Sequence, residues 1–173
     1  MFLSRVTIPP VSAYEVHQHL HPYFDAPTRR FIYRRMSDTD VLMLSVVRPR
    51  TRHAMLDIAT IPCGRPLSFA ADLVIQKHVA RVDRRVDLRG RFERRAWLKR
   101  KLEGAATLRF VRFEDAWLQV KPRTRVVLVQ ATGVLEITDR AKFVQLLQQG
   151  IGRNKFCGCG LIWLPEIMPW SPD

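Results

Sequence analysis

The sequence predicts an α+β chain in which one small arrangement of strands and helices occurs twice. Three observations predict it. Apolar runs with strand-like and helical spacing alternate along the chain, glycine and proline breakers separate them, and 47% hydrophobic residues suffice for a packed core over 173 positions. A chain of this length holds one large domain, or two of roughly 80 residues that pack on each other.

Residues 2 to 8 read as a first strand, broken by Pro9 and Pro10. Ser12 is suited to cap a helix from about 13 to 21, stopped near Pro22. Residues 31–36 and 41–47 are strand-like, joined by the turn-forming Ser37-Asp38-Thr39-Asp40. A weak helical piece over 54–59 precedes the breaker Pro62-Cys63-Gly64, and 67–79 is apolar enough for a further strand. The order is β-α-β-β-α-β, that of a ferredoxin-like fold. The second half repeats it. A basic helix over 91–103 carries Trp97, Leu98 and Leu102 as its apolar stripe and ends at Gly104. Strands are expected at 107–112, 116–121 and 124–137. Thr138 or Asp139 then caps a helix to Gln149 that Gly150 ends, and 159–164 reads as a closing strand. This gives an N-terminal ferredoxin-like domain over 1–80, a basic connection over 81–92 and a second ferredoxin-like domain over 93–173.

Charge indicates the partner. Twenty-nine Lys and Arg against 16 Asp and Glu leave a net +13 and a pI near 10.8, the balance of a protein that meets a polyanion. Between Arg81 and Lys101 stand ten basic residues and three acidic ones, so that this segment alone carries +7. Local acids are too few to pair the excess, and arginine, whose planar fork suits phosphates and guanine edges, supplies eight of the ten. A nucleic-acid surface follows, with Arg84, Arg85, Arg89, Arg91, Arg94, Arg95 and Lys99 as its expected contacts. No apolar stretch nears the roughly 20 residues that span a bilayer, and the N-terminus does not read as a signal peptide. Three cysteines, Cys63, Cys157 and Cys159, are too few and too odd in number for a disulfide framework, which suits a reducing cytoplasm.

Several motifs could carry chemistry. The run Gly150-Ile-Gly-Arg-Asn-Lys155-Phe-Cys-Gly158-Cys-Gly160 has Lys155 where a dinucleotide fingerprint needs glycine, and it follows a helix instead of a strand. It also lacks the Gly-Lys-Ser/Thr of a Walker loop. It reads as a helix end and turn whose amides, with Arg153 and Lys155, can approach a phosphate. Cys157 and Cys159 lack a second pair at zinc-knuckle spacing and read as structural thiols. His17 and His21, at i and i+4, could share a metal, but acidic or thiol ligands are scarce nearby, so no metal or other cofactor is expected. Tyr14, three residues before His17, projects from the same helix face. A Tyr-x-x-His pair beside a basic groove suits RNA cleavage, because RNA carries its own 2′-hydroxyl nucleophile. An enzyme then needs only to align the attack, move a proton and stabilise the charged phosphorane.

These residues resemble the CRISPR repeat-RNA endoribonucleases of type I-E systems. The likeness rests on Phe2-Leu-Ser-Arg-Val6, Tyr14-Glu-Val-His17-Gln-His-Leu20, Arg30-Phe-Ile-Tyr-Arg34, Ala96-Trp-Leu-Lys-Arg-Lys-Leu102, Gly133-Val-Leu-Glu-Ile137 and the glycine-rich run through Leu161. The resemblance implies two tandem ferredoxin-like (RRM-like, RAMP) domains and metal-independent cleavage of CRISPR precursor RNA at the 3′ base of the repeat hairpin. It implies that the product stays bound while the chain serves as a subunit of Cascade, touching other subunits, the backbone subunit among them. It also implies His17 as the catalytic histidine, Tyr14 as its assistant, and basic residues of a second-domain hairpin, here Lys121, Arg123 or Arg125, beside the scissile phosphate. The segment Arg84 to Lys101 would lie along the stem, which A-form RNA presents chiefly as shape and phosphates. His21 departs from the family, which has an aromatic residue there, and the middle of the chain is shorter than in usual members. A subunit that caps the guide RNA without cutting it is the alternative reading. A DNA-binding regulator is a weaker one, since no helix-turn-helix, zinc finger or basic zipper occurs.

Overall fold

A computed structural model describes residues 1–25, 31–121 and 123–169. Its first sheet has the strand order β2-β3-β1-β4, built from β1 (Phe2–Thr7), β2 (Phe31–Arg35), β3 (Asp40–Ser45) and β4 (Ala54–Met55). The pairing is antiparallel, with Phe2 opposite Ser45 and Arg35 opposite Val41. Strands β2 and β3 lack clean polar alternation because both faces are covered. Phe31, Tyr33, Val41 and Met43 meet Val16 and Leu20 of helix α1 (Ala13–Leu20) on one face. Ile32, Leu42 and Leu44 enter the main core on the other. Ser12 caps α1 as expected, in a capping box with Glu15: the Ser12 backbone N–H donates to the Glu15 carboxylate at 2.9 Å, and the Ser12 hydroxyl accepts from the Glu15 N–H.

The expected helix over 54–59 is instead the two-residue strand β4, which pairs with Phe2 and Leu3, followed by a 3-10 turn at Ile58–Thr60. Too few residues separate β3 from β4 for a packed helix, so the fourth strand arrives directly. The expected strand over 67–79 also divides. Residues Pro66–Leu73 form β5, which pairs with the second sheet and not the first; Gln76–Val79 form β6. Part of the anticipated connection, Arg84–Asp87, is strand β7, paired with β6 in a separate basic hairpin around a 3-10 turn.

The second sheet has the order β5-β9-β8, with β8 at Ala106–Lys121 and β9 at Thr124–Ile137; an antiparallel bridge from Ala70 to Trp163 extends its β5 edge. With helices α2 (Arg91–Leu102) and α3 (Arg140–Gln149), the order from β5 onward is again ferredoxin-like, its fourth strand reduced to that bridge. Trp97, Leu98 and Leu102 of α2 are buried as expected, and Asp139 is the cap of α3, accepting from the Lys142 N–H at 3.0 Å. The two strands expected over 107–121 are one continuous strand, kinked by irregular register between Leu108 and Phe110 and between Gln119 and Lys121. Gly133 faces the first kink, where a Cβ would lie 2.1 Å from the Phe110 carbonyl oxygen, so no larger residue fits.

One apolar core joins the sheets: Leu3, Ile32 and Leu44 of the first sheet pack with Leu67, Leu73 and Val129 of the second and Phe143 of α3. The junction also holds an ion pair. The guanidinium of Arg34 on β2 donates from Nε at 3.0 Å and from Nη2 at 3.4 Å to the two carboxylate oxygens of Asp72 on β5, and it lies over the Trp163 ring. No helix among the described residues is long and apolar enough to cross a membrane.

Candidate active site

Three remote parts of the chain meet at one place. Helix α1 brings Tyr14 and His17, and the glycine-rich loop brings Lys155 and Phe156. The tip of the β8–β9 hairpin closes the group, where Val120 packs with Ala13 of α1 and Cys157 of the loop, and Leu118 and Val126 support them. Tyr33 ties helix to loop. Its buried hydroxyl donates to the Phe156 carbonyl at 2.6 Å and lies 3.4 Å from the Ala13 carbonyl, and burial, with the Cys157 and Cys159 thiols nearby, raises its pKa well above that of a free phenol.

The loop owes its shape to its glycines. At Gly160, with φ +94, a Cβ would lie 2.4 Å from the Ile151 carbonyl oxygen, so the two ends of the loop close on each other only because no side chain intervenes. The loop then turns through Lys155–Cys157 and presents Lys155 and Phe156 outward while Cys157 and Cys159 point inward. Burial raises both thiols, Cys157 to about 11. They are inert structural groups, as expected from their spacing.

An open cleft of about 1030 Å³ has His17, Phe31, Gln148, Lys155 and Phe156 in its walls. His17 is half-buried between the Phe31 ring, 5.3 Å away, and that of His21, 4.5 Å away. Tyr14 stands at the rim, 41% exposed, with its ring edge-on to Phe156. Partial burial of the Lys155 ammonium, and after it the nearby Lys101 cation, lower the Lys155 pKa. Lys101, at the end of α2, lies over the Trp97 ring, and the glycine loop packs on that same ring at Gly152. The basic helix and the cleft are therefore contiguous. The site offers a proton-transfer group, a phenol and a cation, with aromatic walls on which a base can stack.

Of the other expected contacts, Arg123 and Arg125 are exposed at the hairpin tip, and Arg125 donates to Gln119 at 2.8 Å. Lys121 ends β8 opposite Thr124, but its side chain, like Arg30, lies outside what the structure describes. Arg153 is exposed in the glycine loop. Arg84, Arg85 and Arg89 line one shallow depression, and Arg89 and Arg91 a second, so Arg89 joins the two into one cationic surface. Lys99 is exposed and Arg95 half-buried on α2. Arg94 differs from the expectation for its segment. It is 5% exposed, donates from Nε to the Leu88 carbonyl at 2.7 Å and forks onto Asp115 at 2.6 and 3.1 Å, so its charge serves the fold.

Sequence reasoning missed Phe92, Phe110 and Arg112 on this flank, and Phe156 in the cleft. Phe92 and Phe110 are 86% and 54% exposed. In a regular strand Phe110 would share the buried face of Leu108; the kink between them turns it outward among the arginines, and periodicity alone carries no signal for that. Among the described residues no group of three or more His, Cys, Asp or Glu side chains is placed to hold a metal ion.

The fold and site define a double ferredoxin-like protein with a cationic surface leading to a histidine cleft. The chain belongs to the CRISPR associated protein family, whose model matches residues 1–165. It is similar to the CRISPR system Cascade subunit CasE of Escherichia coli (strain K12), 29% identical over 204 residues that cover 96% of this chain and all of CasE. The crystal structure of the CRISPR-associated protein Cas6e from Escherichia coli str. K-12 superposes with a TM-score of 0.79 at 27% identity, covering 95% of this chain and 98% of that one. A CRISPR endoribonuclease Cse3 bound to a 19-nucleotide RNA superposes with a TM-score of 0.83 at 24% identity, covering 94% and 98%.

Proposed function

We propose that this chain is an endoribonuclease that cuts CRISPR precursor RNA at the 3′ base of the repeat hairpin and then holds the mature guide RNA as a Cascade subunit. The convergence of Tyr14, His17 and Lys155 at the end of a cationic surface carries the reading, and the relatives named above support it. Cleavage proceeds by attack of the 2′-hydroxyl on the adjacent phosphorus, leaving a 2′,3′-cyclic phosphate and a 5′-hydroxyl, without a metal ion. His17 moves the proton, Tyr14 orients the attacking or leaving oxygen, and Lys155, with Lys121 or Arg123 from the hairpin tip, meets the charge that develops on the phosphorane. Arg84, Arg85, Arg89, Arg91, Arg95, Lys99 and Arg153 grip the stem through its phosphates, and Phe110 and Phe92 offer stacking faces where bases are splayed. The sheet pairing supports a division between the two ferredoxin-like units near residue 65, since β5 belongs to the second sheet. A cytoplasmic setting fits the three free thiols.

Single-turnover cleavage of the cognate repeat hairpin tests this. His17→Ala is expected to slow it by about 10²–10⁴ while hairpin affinity stays near wild type. A 2′-deoxy nucleotide at the cut site blocks it, and excess EDTA leaves it intact. Full activity in the His17 variant would sink the assignment, and tight binding without product from the unaltered protein would make the chain a guide-RNA cap only.

A further inference from the structure

His21 has no part in the cleavage proposed above, yet among the described residues its ring stands beside that of His17, 4.5 Å away. His21 opens the short turn His21–Tyr23 after α1, where Pro22 fixes the backbone, and its Nε2 lies 3.0 Å from Nε2 of His17. The rings meet nearly edge-on, at 77°, and both lean on Phe31, at 5.3 Å from His17 and 5.5 Å from His21. One aromatic ring therefore fixes the mutual orientation of the pair. Nδ1 of His17 is buried, so proton exchange between this imidazole and the cleft runs through Nε2, the nitrogen that meets His21.

Two imidazole nitrogens at hydrogen-bond distance require that one donate and the other accept, so the protonation of each ring sets the tautomer of the other. We infer that His21 is a positioning residue that shares the proton of His17 and sets its tautomer for RNA cleavage; the inference rests on the proposed proton-transfer role of His17. A neutral His21 accepts from protonated His17 and favours that charge, whereas a second proton would place two cations about 3 Å apart. The protonation states of the two rings are therefore linked through this contact. Among the described residues, the titratable and charged groups around it oppose the second proton, are neutral or are engaged elsewhere. Lys155 of the glycine loop lines the same cleft and opposes the second proton. Tyr33 of β2 is held as a neutral phenol, and Gln148 and Gln149 at the end of α3 carry no charge. On the helix itself, Glu15 is engaged by Ser12, Tyr14 turns to Phe156 and His19 is exposed; beyond it Asp25 pairs with Arg50.

Imidazole nitrogen NMR of the unaltered full chain and single-turnover cleavage by two variants test this together. The His17 and His21 signals are expected to titrate as a coupled pair in two steps. His21→Phe, which keeps a ring but no nitrogen, is expected to cleave about tenfold more slowly at neutral pH, the effect of one hydrogen bond to a charged group. Its acid limb moves to lower pH, because the acceptor that favoured protonated His17 is gone. His21→Gln, which keeps a hydrogen-bonding end, restores most of the rate and the wild-type limb. Independent one-step titrations of the two rings, or a wild-type rate and acid limb in His21→Phe, overturn the inference, and the NMR result stands whether or not a variant folds. Cleavage by His17→Ala would instead defeat the proposed function itself, so the two failures are distinct.

Discussion

Lys155 shows how one residue's surroundings decide its chemistry. A lysine on an open loop keeps its proton far into the alkaline range, but partial burial against the cleft wall and the like charge of Lys101 both make this ammonium easier to lose. The sign of the effect follows. The cation proposed to meet the phosphorane is present at neutral pH and disappears as pH rises, earlier than an ordinary lysine would. Single-turnover cleavage is therefore expected to decline on the alkaline side below the usual lysine range. Lys155→Arg, charged throughout, moves that decline upward; Lys101→Gln shifts it in the same direction by removing the like charge; and Lys155→Ala lowers the rate about 10²-fold. An unchanged alkaline limb in Lys155→Arg would assign it to another group. Lys155 stands out in the glycine-rich run, which has the look of a phosphate loop, but its meeting with His17, 138 positions away by their numbers, follows only from the fold.

At the scale of elements, the basic segment separates into parts with different tasks. Local patterning foretold α1, α2 and α3 closely, because caps and apolar stripes are written within a few residues: Ser12 with Glu15, Trp97 with Leu98, Asp139 with the Lys142 amide. It misplaced β5 and hid the β6–β7 hairpin, because an apolar run does not say which sheet it joins, and β7 consists mostly of surface arginines and a valine. The same limit applies to Arg94, which forks onto Asp115 while Arg91 and Lys99 of the same helix are exposed. Two substitutions expose the difference. Arg84→Ala on the hairpin is expected to leave the melting transition in place, weaken hairpin binding, and reduce the slope of log affinity against log salt by about 0.7–0.9, the share of one phosphate contact. Arg94→Ala strips the Leu88 carbonyl and the Asp115 carboxylate of their donor and is expected to cost about 2 kcal/mol in denaturant unfolding, with the salt slope unchanged. If Arg94→Ala flattened the slope and spared stability, its side chain would belong to the RNA surface after all.

On the scale of the whole molecule, the proposed catalytic groups meet across the junction of two sheets. His17 and Tyr14 ride on the first, Lys155 and the hairpin tip on the second, and their relative placement is only as firm as the contacts between the sheets. Shared apolar core supplies most of that firmness without direction, since Leu44 packs as well against a slightly rotated neighbour. Direction comes from polar contacts that tolerate little displacement: the Tyr33 hydroxyl on the Phe156 carbonyl, and the two-pronged Arg34–Asp72 pair, whose side chains are 13% and 10% exposed. Asp72→Ala leaves a guanidinium in that junction without its carboxylate and is expected to destabilise the protein by about 3–5 kcal/mol. Its kinetic signature is more telling than its melting point. The arginines proposed to bind the stem lie on the second unit alone, so hairpin affinity measured below the melting transition should change little, while the cleavage step, which needs both units in register, should slow by at least tenfold. Adding Arg34→Met to Asp72→Ala, which removes the orphaned charge and keeps the bulk over Trp163, is expected to recover stability without recovering rate. A variant that lost affinity and rate in equal measure would show that the junction shapes the binding surface and not the register of the cleft.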